Sequence, residues 1–322
     1  MIGIVLAAGK GTRMKSDLPK VLFPICGKSM LSRVITVLRE SGVLDIAVIL
    51  GYQGEMVRKE IENFSGIYCF EQREQLGTGH ALMQVDLSLF SDEYVLIMPG
   101  DEPLFSKDTL SAFINDTQKN GYDASLLTAS FDDPTGYGRV IRNEKNFVVR
   151  IVEHKDATDI ERTVTEVNTG VYCIRREKLV HYLPKISNTN IQKEYYLTDI
   201  FSLMSNDACR IGAFTTPDAM ESMGVNSRAQ LMEANAYFTK RVLHTLMESG
   251  VTINNPESVV LEGDIISEND VTIHSPAVFR GTVTLKKGSK VGPYVYLENV
   301  TIDGEDIRCM SITPEGKTRL TV

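Results

Sequence analysis

The apolar positions of the first 70 residues follow two alternating patterns. Residues 2–6, 45–50 and 66–70 are short, mostly apolar runs without a helical period, which predicts buried strands. Between them, residues 30–41 carry apolar side chains at helical spacing, and residues 55–63 are also expected to be helical. Strands that alternate with helices in this order predict a mostly parallel sheet with helices on both faces.

The same kinds of pattern continue to about residue 250. Further strands are predicted at residues 94–98, 123–130, 148–153, 170–174 and 209–215. Further helices are predicted at residues 107–119, 194–206 and 229–249. This part of the chain is therefore expected to form one α/β domain.

From residue 251 onward, apolar or small residues recur at every sixth position. They form two rows, Val259, Ile265, Val271, Ala277, Val283, Ser289 and Val295, and Leu261, Ser267, Ile273, Phe279, Leu285, Val291 and Leu297. This period resembles the hexapeptide repeat of a left-handed parallel β-helix of little more than two coils. Residues 303–322 lose the pattern and are expected to form an irregular cap. We therefore predict a domain at 1–226, a linker helix at 227–250 and a β-helix at 251–322.

Composition and charge exclude several classes of protein. The chain has 322 residues, a net charge of −8 and no basic tract, which disfavours a nucleic-acid partner. It has no apolar run long enough to cross a bilayer, and its start lacks the features of a signal peptide. The five cysteines are scattered and none forms C-x-x-C, so neither zinc nor disulfides are expected. These observations predict a cytoplasmic protein without a membrane partner.

The first strand runs into a loop of small residues and cations. Ala7, Ala8 and Gly9 let a backbone approach a phosphate closely, and the nearby cations are Lys10, Arg13 and Lys20. The spacing fits neither a Walker loop, G-x-x-x-x-G-K-[ST], nor the dinucleotide fingerprint G-x-G-x-x-G. The stretch is therefore predicted to bind a polyphosphate, although the glycines alone would fit a tight turn equally well.

The full string LAAGKGTRM, followed by LPK, resembles the signature of sugar-1-phosphate nucleotidyltransferases. Within them it is most similar to the uridylyltransferases that act on N-acetylglucosamine 1-phosphate. The resemblance covers residues 1–250 closely and residues 251–300 only in architecture. It implies a Rossmann-like, GT-A-like mixed sheet. It also implies nucleotide binding by Leu6, Ala7, Ala8, Gly9 and Lys20, and catalytic roles for Arg13, Lys20 and Asp101.

A second motif, Q-x-x-Q-L-G-T-G-H-A, begins at Gln72. Its glycines open a predicted helix whose first amides could bind a ligand, and an amide side chain can both donate to and accept from a base edge. A capped surface turn is the alternative interpretation. The motif resembles the uracil-recognition segment of the same enzymes, which implies nucleotide contacts from Gln72, Gly77 and Thr78.

Two oxygen-bearing side chains are candidate ligands of Mg²⁺. Asp101 follows the predicted strand 94–98, and Asn226 precedes the long predicted helix 229–249. Asp101 could instead form an N-cap or an Asx turn before the next helix. Asn226 is also a good N-cap residue, a role that is compatible with metal binding. The segments GDEPL and GVNSR resemble those that supply the metal ligands in this family, so the resemblance implies that Asp101 and Asn226 share one Mg²⁺.

The sugar-binding residues are also implied by resemblance. Polar clusters at the ends of predicted strands contain the motifs DPTGYGR, EHKDA and NTG, and such groups can bind sugar hydroxyls. Each residue taken alone is more typical of a turn or a surface. The resemblance implies sugar contacts from Gly100, Asp101, Gly138, Glu153 and Asn168.

The resemblance implies uridylyl transfer from UTP to N-acetylglucosamine 1-phosphate. Two alternatives stay open, namely transfer to another sugar 1-phosphate and a non-catalytic protein that senses a nucleotide sugar. The acetyltransferase segments that the bifunctional enzymes carry further along have no counterpart, so acetyl transfer is not expected. A left-handed β-helix implies a homotrimer, whereas so short a β-helix leaves a monomer open.

Overall fold

The computed structural model describes residues 1–319. Its helices are α1 Met30–Glu40, α2 Gly54–Ile61, α3 Thr78–Leu82, α4 Lys107–Asn120, α5 Asp159–Arg162, α6 Arg176–Tyr182, α7 Asp199–Asn206 and α8 Arg228–Glu248. Strands β1 to β11 are Ile2–Leu6, Pro24–Ile25, Lys28–Ser29, Ile46–Leu50, Ile67–Glu71, Tyr94–Pro99, Ala124–Ser130, Arg139–Arg142, Val148–Val152, Glu166–Arg175 and Ile211–Thr215. Strands β12 to β20 are Thr252–Asn254, Val259–Ser267, Thr272–His274, Ala277–Leu285, Lys290–Val291, Val295–Ile302, Asp306–Ile307, Met310–Thr313 and Gly316–Arg319.

The chain divides into two compact units. The first consists of Met1–Leu22 and Met30–Asn226, and the second consists of Phe23–Ser29 and the residues from Ser227 onward. Within the described residues, no helix combines the length and the apolar character that crossing a membrane would require. None of the five cysteines, all of which lie in this part, forms a disulfide.

The first unit is built on a nine-stranded mixed sheet. Its main path has the order β11-β7-β10-β6-β1-β4-β5, and β8 and β9 extend it beside β10. Strands β6, β1, β4 and β5 are mutually parallel, whereas β10 is antiparallel to both β6 and β7. Ile2 and Ile4 pack on one face with α7, and Val5 packs on the other with α1. Apolar residues on both faces of the central strands explain the continuous apolar runs of the sequence.

The second unit is a parallel β-helix, as the six-residue period predicts. Val259 pairs with Ala277, and Ala277 pairs with Val295, so each coil advances by 18 residues or three hexapeptides. The core rows are largely buried, and even Ser289 is 0% exposed. Its hydroxyl donates to the carbonyl oxygen of Ile302, which explains how a polar residue occupies a core position.

Two segments of the second unit differ from expectation. Residues 303–319 are not irregular, because β18 and β19 continue the two parallel sheets and β20 folds back antiparallel on β19. Leu320–Val322 lie outside the described residues. Helix α8 clusters with the β-helix rather than forming a separate linker, together with the short hairpin β2–β3. Within this unit the amide of Cys26 donates to Oδ1 of Asn235 on α8 at 2.8 Å.

One predicted helix of the first unit is too long. The sequence predicts a helix over residues 194–206, but α7 begins only at Asp199. Residues 194–197 instead run beside the segment that begins at Leu76, where the amide of Tyr195 donates to the carbonyl of Leu76 at 2.8 Å. A backbone partner distant in sequence therefore overrides the local helical pattern.

Candidate active site

The loop that follows β1 exposes its backbone at the carboxyl edge of the parallel strands, where open α/β sheets bind ligands. Gly9 is exposed, and a Cβ placed on it would meet no atom within 4 Å. Gly11 has a φ of 63°, and its Cβ would lie only 2.5 Å from Cβ of Lys20. Glycine at position 11 therefore lets the loop fold closely against Lys20.

Four side chains that are distant in sequence meet beside this loop. Nζ of Lys20 lies 2.5 Å from Oδ2 of Asp101 and donates to Oδ1 of Asn226 at 2.9 Å. Nη2 of Arg13 donates to the same oxygen of Asn226 at 2.8 Å. The side chains of Lys20 and Asp101 are only 14% and 18% exposed, so water screens their attraction incompletely. The structure thus brings together both predicted catalytic cations and both predicted metal ligands.

Neither metal-ligand candidate caps a helix. Helix α4 is capped by Ser106, whose hydroxyl accepts from the amide of Thr109. Helix α8 is capped by Ser227, one residue after Asn226. The capping alternatives for Asp101 and Asn226 are therefore excluded, and both side chains instead contact the ammonium of Lys20.

A cleft of about 340 Å³ lies at this edge of the sheet. All the predicted nucleotide-binding residues line it, namely Leu6, Ala7, Ala8, Gly9, Lys20, Gln72, Gly77 and Thr78, together with Asp101. Gln75 and Glu194 also line the cleft, and sequence reasoning missed both of them. The second glutamine of the Q-x-x-Q string could have indicated Gln75, whose Nε2 donates to the carbonyl of Ala8 at 2.9 Å. Glu194 lies in the stretch that the sequence predicts as helix, although α7 begins only at Asp199, so the pattern gives no sign that it lines the cleft.

The segment that carries Gly77 and Thr78 is held by the chain before α7. The amide of Gly79 donates to the carbonyl of Tyr195 at 2.7 Å, and the amide of Leu197 donates to Oγ1 of Thr78 at 3.2 Å. Helix α3 has only five residues, so the predicted helix start is present but short. Because the amide of Gly79 is already used, it is not available to a ligand.

Three of the predicted sugar-binding residues form a separate cluster in the first unit. The amide of Asn168 donates to the carbonyl of Gly138 at 2.9 Å. A Cβ on Gly138 would lie 3.6 Å from Cβ of Asn168 and 3.7 Å from Oε1 of Glu153. Oε1 of Glu153 also accepts a hydrogen bond from Thr198 at 3.3 Å. Gly138, Glu153 and Asn168 are therefore neighbours, but they do not line the 340 Å³ cleft.

The two remaining predicted contacts, Gly100 and Asp101, belong to the loop after β6. The amide of Gly100 donates to the carbonyl of Leu6 at 2.9 Å, which joins this loop to the end of β1. Gly170 connects the loop with the sugar cluster, since its Cβ would lie 2.9 Å from Cγ of Pro99 and 3.7 Å from Oε1 of Glu102. The irregular part of β10 that follows Asn168 thus packs against the segment that carries Asp101.

Burial raises the pKa of two carboxyl groups in this part of the first unit, Glu153 and Glu102. Burial raises the pKa of Glu153, and the hydrogen bond from Thr198 offsets part of that effect. Burial raises the pKa of Glu102 well above its ordinary range, and the neighbouring charge of Asp101 adds to the shift while Lys20 opposes it. Oε2 of Glu102 is buried without a hydrogen-bond partner among the described residues. Sequence reasoning missed Glu102, although a glutamate directly after Asp101 at the end of a buried strand was a visible signal.

Cations that face a loop of exposed backbone suit a reaction that redistributes negative charge among phosphates. The fold and the cleft together define the class of nucleotidyltransferases.

The sequence comparisons identify the family within this class. The profile described as the MobA-like NTP transferase domain matches residues 3–164, and the chain belongs to this family. It is 41% identical over 300 residues to the bifunctional protein GlmU of Brevibacillus brevis, covering 93% of this chain and 65% of the relative. It is 42% identical over 302 residues to GlmU of Clostridium novyi, covering 93% and 66%. The chain thus spans about two thirds of the length of these relatives.

A solved structure shows the same fold at low sequence identity. UDP-glucose pyrophosphorylase, in complex with UDP-glucose, superimposes with a TM-score of 0.59 at 19% identity. The match covers 74% of this chain and 98% of that chain. These comparisons confirm the predicted fold class and the nucleotidyltransferase assignment.

Proposed function

We propose that this nucleotidyltransferase transfers a uridylyl group from UTP to N-acetylglucosamine 1-phosphate. A phosphate oxygen of the sugar phosphate attacks the α-phosphorus of UTP, and the bond from that phosphorus to the bridging oxygen of the β-phosphate breaks. The products are UDP-N-acetylglucosamine and pyrophosphate. The attacking phosphate is already anionic at neutral pH, so the protein needs to position the reactants and stabilise charge rather than supply a base.

The observation that carries this proposal is the convergence of Arg13, Lys20, Asp101 and Asn226 beside the cleft. In the proposed reaction, Lys20 stabilises the charge that develops on the α-phosphate, and Arg13 stabilises the departing pyrophosphate. Both cations bond to protein oxygens beside the cleft, so the fold itself gathers the positive charge that phosphate oxygens would need. A non-catalytic relative would have no need to retain all four groups.

The residues fit a magnesium ion. Oδ2 of Asp101 and Oδ1 of Asn226 are hard oxygen donors, and both already contact one cation, the ammonium of Lys20. The described residues contain no cluster of three or more His, Cys, Asp or Glu side chains that could hold a metal. We therefore infer that Asp101 and Asn226 hold Mg²⁺ with help from substrate phosphates. The ion would supply positive charge that neutralises those phosphates.

Recognition of the two substrates is assigned to two groups of residues. The nucleotide is assigned to the cleft residues Leu6, Ala7, Ala8, Gly9, Gln72, Gly77 and Thr78. The sugar is assigned to Gly100, Asp101, Gly138, Glu153 and Asn168. The grouping of Gly138, Glu153 and Asn168 within one cluster supports this assignment, because a sugar needs several directed polar partners.

The same proposal places the protein in the cytoplasm, as a homotrimer held by its β-helix. The absence of disulfides among the five cysteines is consistent with a reducing compartment. Light scattering on the purified chain tests the assembly, since a monomeric mass at micromolar concentration would contradict a trimer.

A substrate panel tests the activity. UTP, TTP and CTP are each combined with the 1-phosphates of N-acetylglucosamine, glucosamine, glucose and N-acetylgalactosamine, and pyrophosphate release is measured. We expect the highest kcat/KM for UTP with N-acetylglucosamine 1-phosphate. A higher value for glucose 1-phosphate would favour the alternative sugar, and no turnover with any pair would refute the enzymatic assignment.

A further inference from the structure

The side-chain amide of Gln72 is held in one orientation by Gly77 and His80. Gln72 follows β5 and is only 5% exposed. Its Nε2 lies 3.2 Å from the carbonyl oxygen of Gly77 and 3.1 Å from Nδ1 of His80. A carbonyl oxygen can only accept a hydrogen bond, so the atom that faces Gly77 must be the amide nitrogen. The reversed amide would place two acceptors against each other.

His80 accepts a hydrogen bond from the second N–H of that amide. If one N–H of Gln72 points to the carbonyl of Gly77, the other points to Nδ1 of His80, which must accept it. Nε2 of the ring also faces an amide nitrogen, that of Gln84, but at the longer distance of 3.3 Å, so we assign the acceptor role to Nδ1. His80 itself is anchored on α3, where its carbonyl accepts from Nε2 of Gln84 at 2.9 Å and its ring centroid lies 6.2 Å from that of Tyr195.

This arrangement determines what Gln72 can offer a nucleobase. Both amide hydrogens are used, and the amide oxygen has no hydrogen-bond partner within residues 1–319, although Gln72 lines the cleft. An oxygen acceptor pairs with the N3–H of uracil or thymine. It repels the N3 lone pair of cytosine, whose Watson–Crick edge has a donor only at N4.

We propose that His80 is a positioning residue that determines base selectivity, by keeping the amide oxygen of Gln72 directed at bases with a protonated N3. This inference rests on the proposed function, since it uses the assignment of Gln72 to the base. His80 does not line the nucleotide cleft; it lines a neighbouring groove with Met83, Val85 and Tyr195. It therefore acts through Gln72 and touches no substrate.

Three substitutions of His80 separate positioning from simple packing. His80→Leu removes the acceptor and introduces an apolar side chain of similar reach. His80→Asn keeps a polar atom near the position of Nδ1, whereas His80→Gln carries one further out, near the position of Nε2. The readout is the ratio of kcat/KM for UTP to that for CTP, with N-acetylglucosamine 1-phosphate as acceptor.

We expect His80→Leu and His80→Gln to lower this ratio by about three- to tenfold, the effect of one neutral hydrogen bond. His80→Asn should restore it to within about twofold of the wild-type value. His181→Leu, a control at an exposed histidine outside the cleft, should leave the ratio unchanged. If His80→Leu does not fold, as judged by circular dichroism, His80→Gln provides the same test with a polar side chain.

A ratio that stays at the wild-type value in both folded variants would overturn the inference, even if overall activity falls. Failure of the proposed function is a separate outcome, because it would appear as absent turnover by the wild-type chain. In that case, calorimetric affinities for UMP and CMP replace kinetics, and the same loss of selectivity is expected. Equal affinity of the wild-type chain for UMP and CMP, or affinity for neither, would also overturn the inference.

Discussion

Replacing Lys20 by methionine removes one positive charge at nearly constant side-chain volume. The ammonium of Lys20 bridges an oxygen of Asp101 at 2.5 Å and one of Asn226 at 2.9 Å, and the side chain is 14% exposed. A preorganised donor that stabilises developing charge contributes about 10²–10³ in rate, or roughly 2.7–4 kcal/mol. We therefore expect Lys20→Met to lower kcat for pyrophosphate release by about 10²–10³.

The same substitution should affect stability much less than activity. The ion pair with Asp101 is neither fully exposed nor fully buried, so its loss should cost about 1–2 kcal/mol of unfolding free energy, between the two limits. Urea unfolding measures this cost. It also shows that the variant is folded under the conditions of the activity assay.

The metal affinity of the variant provides a readout independent of turnover. The ammonium of Lys20 contacts the two oxygens that we assign to Mg²⁺. Without that competitor, Lys20→Met should bind Mg²⁺ several-fold more tightly in calorimetric titrations without substrates. Lys15→Met, at an exposed lysine of the same loop, is the matched control and should change neither quantity. A folded Lys20→Met that keeps kcat within about threefold of wild type would refute the catalytic role.

Three further substitutions test other parts of the molecule. Gly77→Ala places a Cβ 2.7 Å from the carbonyl oxygen of Tyr195, at a φ of 108° that is strained for alanine. The segment that carries Gly77 and Thr78 must therefore move, and KM for UTP should rise at least tenfold. Burial raises the pKa of Glu153, so its charged form costs stability above the folded pKa, and this cost vanishes below the unfolded pKa. Glu153→Gln should therefore raise Tm by about 1–3 °C at pH 8 and not at pH 4, while KM for the sugar phosphate increases. Gly263→Ala brings a Cβ to 1.9 Å from the carbonyl oxygen of Gly281 in the next coil, and should destabilise the β-helix by about 1–3 kcal/mol in urea unfolding.

Each of these predictions has a matched comparison. Gly42 also has a positive φ but open space around its Cβ, so Gly42→Ala should leave KM for UTP unchanged. In the β-helix, Gly288 combines open space with a φ of 82°, so Gly288→Ala measures backbone strain alone, separately from the steric clash expected at Gly263. For Glu153→Gln, the two pH values serve as the comparison, and an equal change in Tm at both would contradict the desolvation argument. An unaltered KM for UTP in Gly77→Ala, or an unaltered unfolding midpoint in Gly263→Ala, would contradict the steric arguments.

The parts of the fold that the sequence predicts well are those in which local pattern and tertiary packing agree. Ile2–Leu6 is apolar on both faces because helices cover both faces of its strand, and the buried strand follows directly. The six-residue period through Phe279 likewise predicts which side chains enter the β-helix core, since each coil repeats the same environment. The roles assigned to the site residues stay predictions, although the structure places all the nucleotide-binding candidates in one cleft.

The parts that the sequence could not predict depend on partners distant in the chain. Asn226 and Ser227 are both good capping residues, and nothing local indicates that Ser227 caps α8 while Asn226 contacts Lys20. Residues 194–197 have a helical pattern, yet they bond to the segment around Leu76. Similarly, no local signal in Q-x-x-Q-L-G-T-G-H-A shows that the imidazole of His80 contacts the amide of Gln72.

The hairpin β2–β3 has a consequence for how such a chain could recombine. It lies between Lys20 and α1 in the sequence, yet it belongs to the same unit as the β-helix, with Ile25 fully buried. A single recombination point at residue 226 would therefore exchange the β-helix but leave behind the hairpin that packs with it. The fit between the two is close, because a Cβ on Gly27 would lie 2.2 Å from the carbonyl of Glu262. A viable chimera would need matching parental sequence at two places, so the two units are expected to have been inherited together rather than shuffled as independent modules.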